Sequence, residues 1–426
     1  MSAPRPFRPA TWLLAVLAML AVAAGGVAAM AVEPAPPVTP EVKQVAAGAN
    51  AFGLKLLAEL SKGTPGNLFF SPFSIHVAFA MPFAGSAGTT RAELAAAFGY
   101  PAAAAGLAPV YGQFLRSFPG FGGTPAATAY EFALANGLWG QQKYPFAKAY
   151  LDLVQSTFAT ELRRVDFGAA AEAIRLEINT WVAKLTRDKI QDLIPPDVLG
   201  PLTRLVLVNA VYFKGKWEAQ FPKEATTDAP FFADGKTETK VPTMRQTGEF
   251  GYAEPTGCQI LRLPYLGGTL AMFVFLPRER DGITGLETAL AAKPLADWIT
   301  GLESTEVRVS LPRFKMESGF TLNGALGKLG VEQAFSEAAA DFTPMLDPVE
   351  GKAEPGLYIS AAFHKAFVAV DEEGTEAAAA TAIVMDTKSM KPPPAAFTAD
   401  HPFLFCIVHE PTATVLFLGR VTSPGH

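Results

Sequence analysis

The chain is poor in the residues that most metal, redox and nucleic-acid chemistry requires. It has only two cysteines, Cys258 and Cys406, in 426 residues. That is too few for a disulfide framework or for the usual four-ligand zinc site. Its five histidines (His76, His364, His401, His409 and His426) form no HExxH or paired-ligand spacing, so no metal is expected. Basic residues are scattered and the formal charge is −5, which excludes the clustered Lys and Arg that neutralise phosphates, so no nucleic-acid partner is expected. Charged residues make up only 18% against 50% hydrophobic, a balance that excludes wholesale disorder. The 37 glycines and 35 prolines follow no period of three, so collagen is excluded too. No GxxxxGK[ST] or strand-following GxGxxG is present, and Ala84-Gly85-Ser86-Ala87-Gly88 lacks the first glycine of GxSxG. The chain is therefore expected to be neither an enzyme nor a holder of a cofactor.

Long apolar runs are also scarce, with one exception at the start. Arg5 and Arg8 precede an apolar stretch from about Thr11 to Ala31, which ends in the small-x-small site Ala29-Met30-Ala31. This pattern describes a secretory signal peptide over 1–31. An uncleaved membrane anchor is the competing reading, since ~20 apolar residues can span a bilayer. A secreted, periplasmic or extracellular location is expected, with no membrane contact once the leader is cut. Residues 32–44 are rich in proline and are expected to form a stiff spacer.

No linker or repeat divides residues 45–426, so one large domain is expected there, although length alone would suggest about three. Helical spacing marks Phe52, Leu56, Leu57 and Leu60, and again Ile174, Ile178, Val182 and Leu185. Ser71-Pro72 reads as an N-cap followed by a first-turn proline. Thr90-Arg91-Ala92-Glu93 reads as a capping box for a helix that Gly99 ends. Leu205–Phe213 and Thr269–Leu276 are apolar on both faces and are expected as central strands. Segments 402–408 and 413–421 flank a four-residue turn and predict a β-hairpin. Helices early and strands late place the chain in the α+β class.

Eight segments along 45–426 resemble the serpin family, in family order. They are NLFFSPFSI (67–75), INTWVAKLTRDKI (178–190), LVNAVYFKGKWEAQF (207–221), LPRFKMES (311–318), LGVEQAFS (329–336), ISAAFHKAFVAVDEEGTEAAAAT (359–381), HPFLF (401–405) and LFLGRV (416–421). Gly85-Ser86 and VPTM (241–244) depart slightly from the family pattern. The resemblance implies three β-sheets, eight or nine helices and an exposed reactive-centre loop. It also implies a mechanism. A protease cuts the loop, and the loop inserts into the central sheet before the acyl-enzyme hydrolyses, which traps the protease.

The resemblance assigns a hinge to Glu372, Gly374, Thr375, Glu376, Ala377, Ala378, Ala379, Ala380 and Thr381. Alone, this run reads as an Ala-rich helix or a solvated linker. As an inserting strand its side chains alternate between two faces. Thr375, Ala377, Ala379, Thr381, Ile383 and Met385 then share the buried face and are all small or apolar. No proline interrupts 374–386, so every N–H there can join a ladder. Counting from Gly374 by family spacing puts the reactive bond at Lys388-Ser389. Counting back from His401-Pro402 lands near Lys391, with Met390-Lys391 as a second candidate. A lysine at the cut suits a trypsin-like protease, whose specificity pocket ends in a carboxylate.

By the same resemblance, Ser71, Ser74, Asn209 and His364 form a polar shutter beneath the central sheet. Trp217 marks the breach where the loop enters, and Glu372 is expected to pair with Arg313. Arg116 is the only basic residue between Ala102 and Pro119, so no heparin site is evident. A monomer acting on a target serine protease is expected. The alternatives are a non-inhibitory binding or chaperone member, or an inhibitor of chymotrypsin-like, elastase-like or cysteine proteases. Exported material should begin at or near Val32 on N-terminal sequencing; a chain that still starts at Met1 would establish the anchor instead.

Overall fold

Thr39 opens the first helix of the computed structural model, which describes residues 38–101, 107–118, 130–348, 356–375 and 393–425. Its hydroxyl accepts the Val42 N–H at 3.4 Å, and Pro40 takes the first helical position of α1 (Pro40–Gly63), where a missing N–H costs nothing. The spacer expected over 32–44 is therefore too long. Residues 40–44 are the first turn of α1, and Val42 is buried in the core. Further along α1, Phe52, Leu56 and Leu57 are buried as their spacing predicts, with Leu60 packed at the margin.

Strand β1 (Leu68–Phe70) leads into α2 (Pro72–Ala84), a helix buried along nearly its whole length. Ser71 caps α2 by accepting the Ser74 N–H at 3.0 Å. Gly99 ends α3 (Gly88–Phe98) at φ +71°, a left-handed conformation suited to glycine. The expected capping box is not formed. The N-cap of α3 is Ala87, and Thr90 lies inside the helix. The Thr90 hydroxyl and the Glu93 carboxylate serve tertiary contacts instead, accepting the N–H groups of Asp341, Glu332 and Gln333.

Next along the chain come α4 (Leu107–Arg116), β2 (Tyr130–Gln141), α5 (Lys148–Phe158), β3 (Leu162–Val165), α6 (Phe167–Leu185) and β4 (Leu205–Lys216). Strands β5 (Thr227–Phe232), β6 (Glu238–Ala253), β7 (Cys258–Pro264) and β8 (Leu270–Pro277) follow, then α7 (Ile283–Ala291) and α8 (Ala296–Ile299). The chain continues with β9 (Glu303–Pro312), β10 (Phe314–Thr321), α9 (Asn323–Lys328), β11 (Ile359–Val370) and β12 (Gly374–Thr375). It closes with β13 (Ala395–Thr398), β14 (Phe403–His409) and β15 (Thr414–Val421), the last two forming the expected hairpin.

These strands form two hydrogen-bonded sheets among the described residues, where three are expected. One has the order β10-β11-β12-β4-β2-β3. The other runs β1-β15-β14-β8-β7-β6-β9-β13, with β5 also paired to β6. The merger has a simple cause. The sixteen-residue β6 runs unbroken, pairing with β5 at its start, with β9 over most of its length and with β7 at its end.

The six-stranded sheet is buried on both faces. Leu205, Leu207, Val211 and Phe213 of β4 face the main core. Val206, Val208, Ala210 and Tyr212 face a second layer closed by Ile174, Ile178 and Val182 of α6. This explains why β4 is apolar throughout. Leu185, the fourth residue of the α6 pattern, is 40% exposed.

The expected leader over 1–31 lies outside the described residues. So do Glu376, Ala377, Ala378, Ala379, Ala380, Thr381, Lys388 and Ser389. Among the described residues no helix is long and apolar enough to cross a membrane.

Cys258 and Cys406 are both free and buried. Burial pushes the Cys258 thiol up to about 11, and it pushes Cys406 up as well. Both are poor nucleophiles at neutral pH. A thiol reagent such as dithionitrobenzoate should react slowly with the native chain and with two thiols after denaturation. Gentle reduction should leave the melting temperature unchanged.

Candidate functional site

The chain leaves β11 through a tight turn, Asp371-Glu372-Glu373-Gly374, and folds back as β12. The Asp371 N–H donates to the Gly374 carbonyl at 2.8 Å. The Asp371 carboxylate accepts the N–H groups of Glu373 and Gly374 at 3.0 and 3.3 Å. Gly374 has φ +151°, and a Cβ there would lie 2.0 Å from the Gly215 carbonyl oxygen. Only glycine fits such an approach.

β12 occupies the upper end of the seam between β11 and β4. Thr375 pairs with Val370 on one side and with Gly215 on the other, and Gly374 pairs with Lys216. Lower down, β11 and β4 pair directly and in parallel, from Ile359/Leu205 to Phe367/Tyr212. The Thr375 side chain is fully buried, and its hydroxyl meets the Tyr265 hydroxyl at 2.8 Å. Burial holds the Tyr265 phenol well above its ordinary value, so it stays neutral.

Trp217 supports this turn. Its ring stacks on Tyr265 with centroids 4.5 Å apart. Its indole N–H donates to the Asp371 carbonyl at 3.0 Å, and its backbone N–H to the Glu373 carbonyl at 2.9 Å. Glu372 accepts the Thr226 hydroxyl at 2.7 Å and lies 3.7 Å from Arg313 Nε, the pairing expected from the sequence. Arg313 is 50% exposed, so that pair contributes only about 0–1 kcal/mol. Glu373 pairs with Lys223 through one carboxylate oxygen. Its other oxygen is buried without a partner among the described residues. Desolvation raises the Asp371 carboxyl above its ordinary value.

Below the turn, one row of side chains crosses the sheet. Asn136 on β2 is in register with Asn209 on β4, and Asn209 with His364 on β11. The Ser71 N–H donates to His364 Nε2 at 3.1 Å, which leaves the proton on Nδ1 to donate to the Asn209 side-chain oxygen. The Asn209 amide donates to the Ser74 carbonyl at 3.0 Å, and also contacts the Ser74 hydroxyl and the Asn136 oxygen. The Ser71 hydroxyl donates to the Leu416 carbonyl at 2.5 Å, tying the row to β15. His364 is fully buried, and desolvation lowers its pKa from 6.5 to about 3.

The structure thus brings Ser71, Ser74, Asn209 and His364 into one cluster and Glu372, Gly374, Thr375 and Trp217 into another. Sequence reasoning missed Asn136, Tyr265, Lys223, Thr226 and Asp371. Only Asp371 sits inside a segment singled out by its pattern. The others meet the site through contacts between residues far apart in the chain.

A family model described as "Serpin (serine protease inhibitor)" matches residues 47–424. The chain is 42% identical over 392 residues to the rat "Leukocyte elastase inhibitor A", covering 90% of this chain and all of the relative. It is 41% identical to the human "Leukocyte elastase inhibitor" over the same share of both chains. A solved structure of Serpin48, described as a highly specific serpin from the insect Tenebrio molitor, superposes with a TM-score of 0.79 at 29% identity. The match covers 91% of this chain and all of that one.

The buried histidine carries a pH signature. Unfolding returns His364 to its ordinary 6.5, so the unfolded chain binds more protons between about pH 3 and 6.5. Stability should be fully present above that window and fall as pH drops through it. Thermal melts from pH 7 to pH 4 should show the decline, and His364→Gln should make it shallower without abolishing it, because burial also lowers His76 to about 3 and His409 to about 4.

Proposed function

Because the chain belongs to the serpin family, we propose that it is an irreversible suicide-substrate inhibitor of a trypsin-like serine protease, exported by its leader. The observation that carries the reading is β12, the first rung of an inserting strand, already paired on both sides at the upper end of the β4–β11 seam.

Continuing those two registers residue by residue gives every hinge position two neighbours. Ala377 falls between Phe213 and Val368, and Ala379 between Val211 and Ala366, all core-facing. Thr381 falls between Asn209 and His364, where a hydroxyl can join the polar row. On the opposite face Glu376 falls beside Lys214, and Ala378 between Tyr212 and Phe367 under α6. Small residues suit each of these places, and a strand that fills them gains a full ladder of hydrogen bonds. This compatibility argues against the non-inhibitory alternative.

Lys388-Ser389 is the bond assigned by counting from Gly374, and its lysine supports a carboxylate-based specificity pocket in the target. A second reading follows from the names of the relatives, which are leukocyte elastase inhibitors. It places the cut at Met390 and selects an elastase- or chymotrypsin-like target.

Incubation with trypsin and with leukocyte elastase separates the two. The trap is an acyl ester and should survive boiling in detergent as a band near the summed mass. With trypsin the released fragment should begin at Ser389, and Lys388→Ala should reduce the reaction on the order of 10⁴-fold. A fragment beginning at Lys391 would favour the second reading. Full cleavage without the high-mass band would overturn inhibition. Thr375→Arg forces a charge toward Tyr265 at a desolvation cost of several kcal/mol. It should convert the inhibitor into a substrate that is cut but does not trap.

A further inference from the structure

An open cleft of about 480 Å³ lies beside α6, outside both clusters described above. Strands β2 and β3 form its floor and the C-terminal end of α5 its far side. Two indoles pack along one part of it. Trp139 of β2 and Trp181 of α6 meet edge to face with centroids 4.9 Å apart. Arg163 of β3 lies over both rings, 5.5 Å from the Trp139 centroid and 5.2 Å from that of Trp181. Its Nε donates to Glu161 at 3.3 Å, and its terminal N–H groups have no acceptor among the described residues. Trp139 is fully buried, and its indole N–H also meets no acceptor there. Gly137 keeps the floor low, since a Cβ would come within 2.5 Å of Trp139 and 3.1 Å of Trp181. Leu185, among the few large apolar side chains that are exposed, forms the rim.

We propose that this cleft binds a planar aromatic carboxylate, and that its occupation slows insertion of the reactive strand. The half-buried Trp181 indole and the exposed Leu185 offer apolar surface to a ring, with the buried Trp139 packed behind Trp181. Arg163 is held in place by cation–π contact, with a fork of donors left over for a carboxylate. A cleft of this size, lined by Trp181 and Leu185 together with the polar Gln155, Thr160, Glu161 and Arg163, suits a small ligand with an apolar face and a charged end.

The second half of the proposal rests on the inhibitory reading and on where α6 lies. One apolar cluster ties α6 to β2, to β4 and to β11, so the helix covers the seam that must open. Admitting a strand moves β4, β2 and β3 away from β11 by ~4.8 Å, and they must slide beneath α6. A ligand gripping Trp181 on the helix and Arg163 on the sheet favours the closed arrangement by its differential affinity. The floor also joins the polar row directly. Gly137 follows Asn136, whose carbonyl accepts the Thr160 hydroxyl at 2.8 Å at the edge of the cleft.

The test uses the full chain and 2-naphthoate as the probe, read by quenching of tryptophan fluorescence. Saturable quenching is expected. The neutral 2-naphthamide should bind about fivefold more weakly, as should Arg163→Gln with naphthoate. Glu161→Gln removes the competitor for the guanidinium and should tighten binding. No saturable quenching at millimolar probe would overturn the site. Equal binding of acid and amide, or no change in either variant, would overturn it too. The amide and Glu161→Gln arms decide the matter even if Arg163→Gln fails to fold. In the reaction with a protease that the chain traps, naphthoate present at saturation from the start should shift product from the stable complex to cleaved chain. An unchanged partition would overturn the regulatory half. Binding is read on the isolated chain. Naphthoate binding without any protease complex would therefore sink the inhibitory reading and leave the cleft standing.

Discussion

The seam between β4 and β11 is the constraint on which the rest of the molecule depends. Two parallel strands pair directly from Ile359 to Phe367, with one register shift between Ile359 and Ala361, yet Gly374 and Thr375 already separate them at the upper end. Every neighbouring element bears on this line. α6 covers it from one side, and α2 closes it from the other through Ser71 and Ser74. Trp217 and Tyr265 close its upper end.

The supports differ in kind. α6 contributes apolar contact, which is non-directional and tolerates sliding. The polar row contributes directional bonds between neutral groups in a dry interior, where a broken bond leaves a costly orphan. His364 is suited to that role because burial keeps it uncharged at neutral pH. A row of this kind ties the strands in one register, since each of its bonds crosses from one element to the next.

Much of this was legible in the sequence where the physics is local. The α6 stripe of Ile174, Ile178 and Val182, the doubly apolar β4, the Ser71 cap and the Gly99 stop follow from spacing and backbone preference. Local reasoning failed where a local signal had a distant use. Thr90 and Glu93 have the spacing of a capping box, but their partners lie some 240 to 250 residues away. Pro40 reads as spacer by composition and serves as a helix start by position. Tyr265 meets Thr375 across 110 residues, and Asn136 meets Asn209 across 73. Neither carries any mark in its own neighbourhood. The site was found through the long resemblance, and its remaining members came only from the packed chain.

The turn at Asp371–Gly374 has a kinetic consequence. Ordering a strand between two others normally begins with a nucleus, in which several dihedrals are fixed before any bond repays the entropy. Here the reversal of direction is already made, with Asp371 bonded to Gly374 and Thr375 in register on both sides. In the proposed insertion each further residue would add next to one already placed, so growth would be elongation without a search. On the proposed inhibitory reading, the rate of closure is then set by how fast the sheet separates, and a protease held only for the lifetime of an ester would meet a strand that has already started.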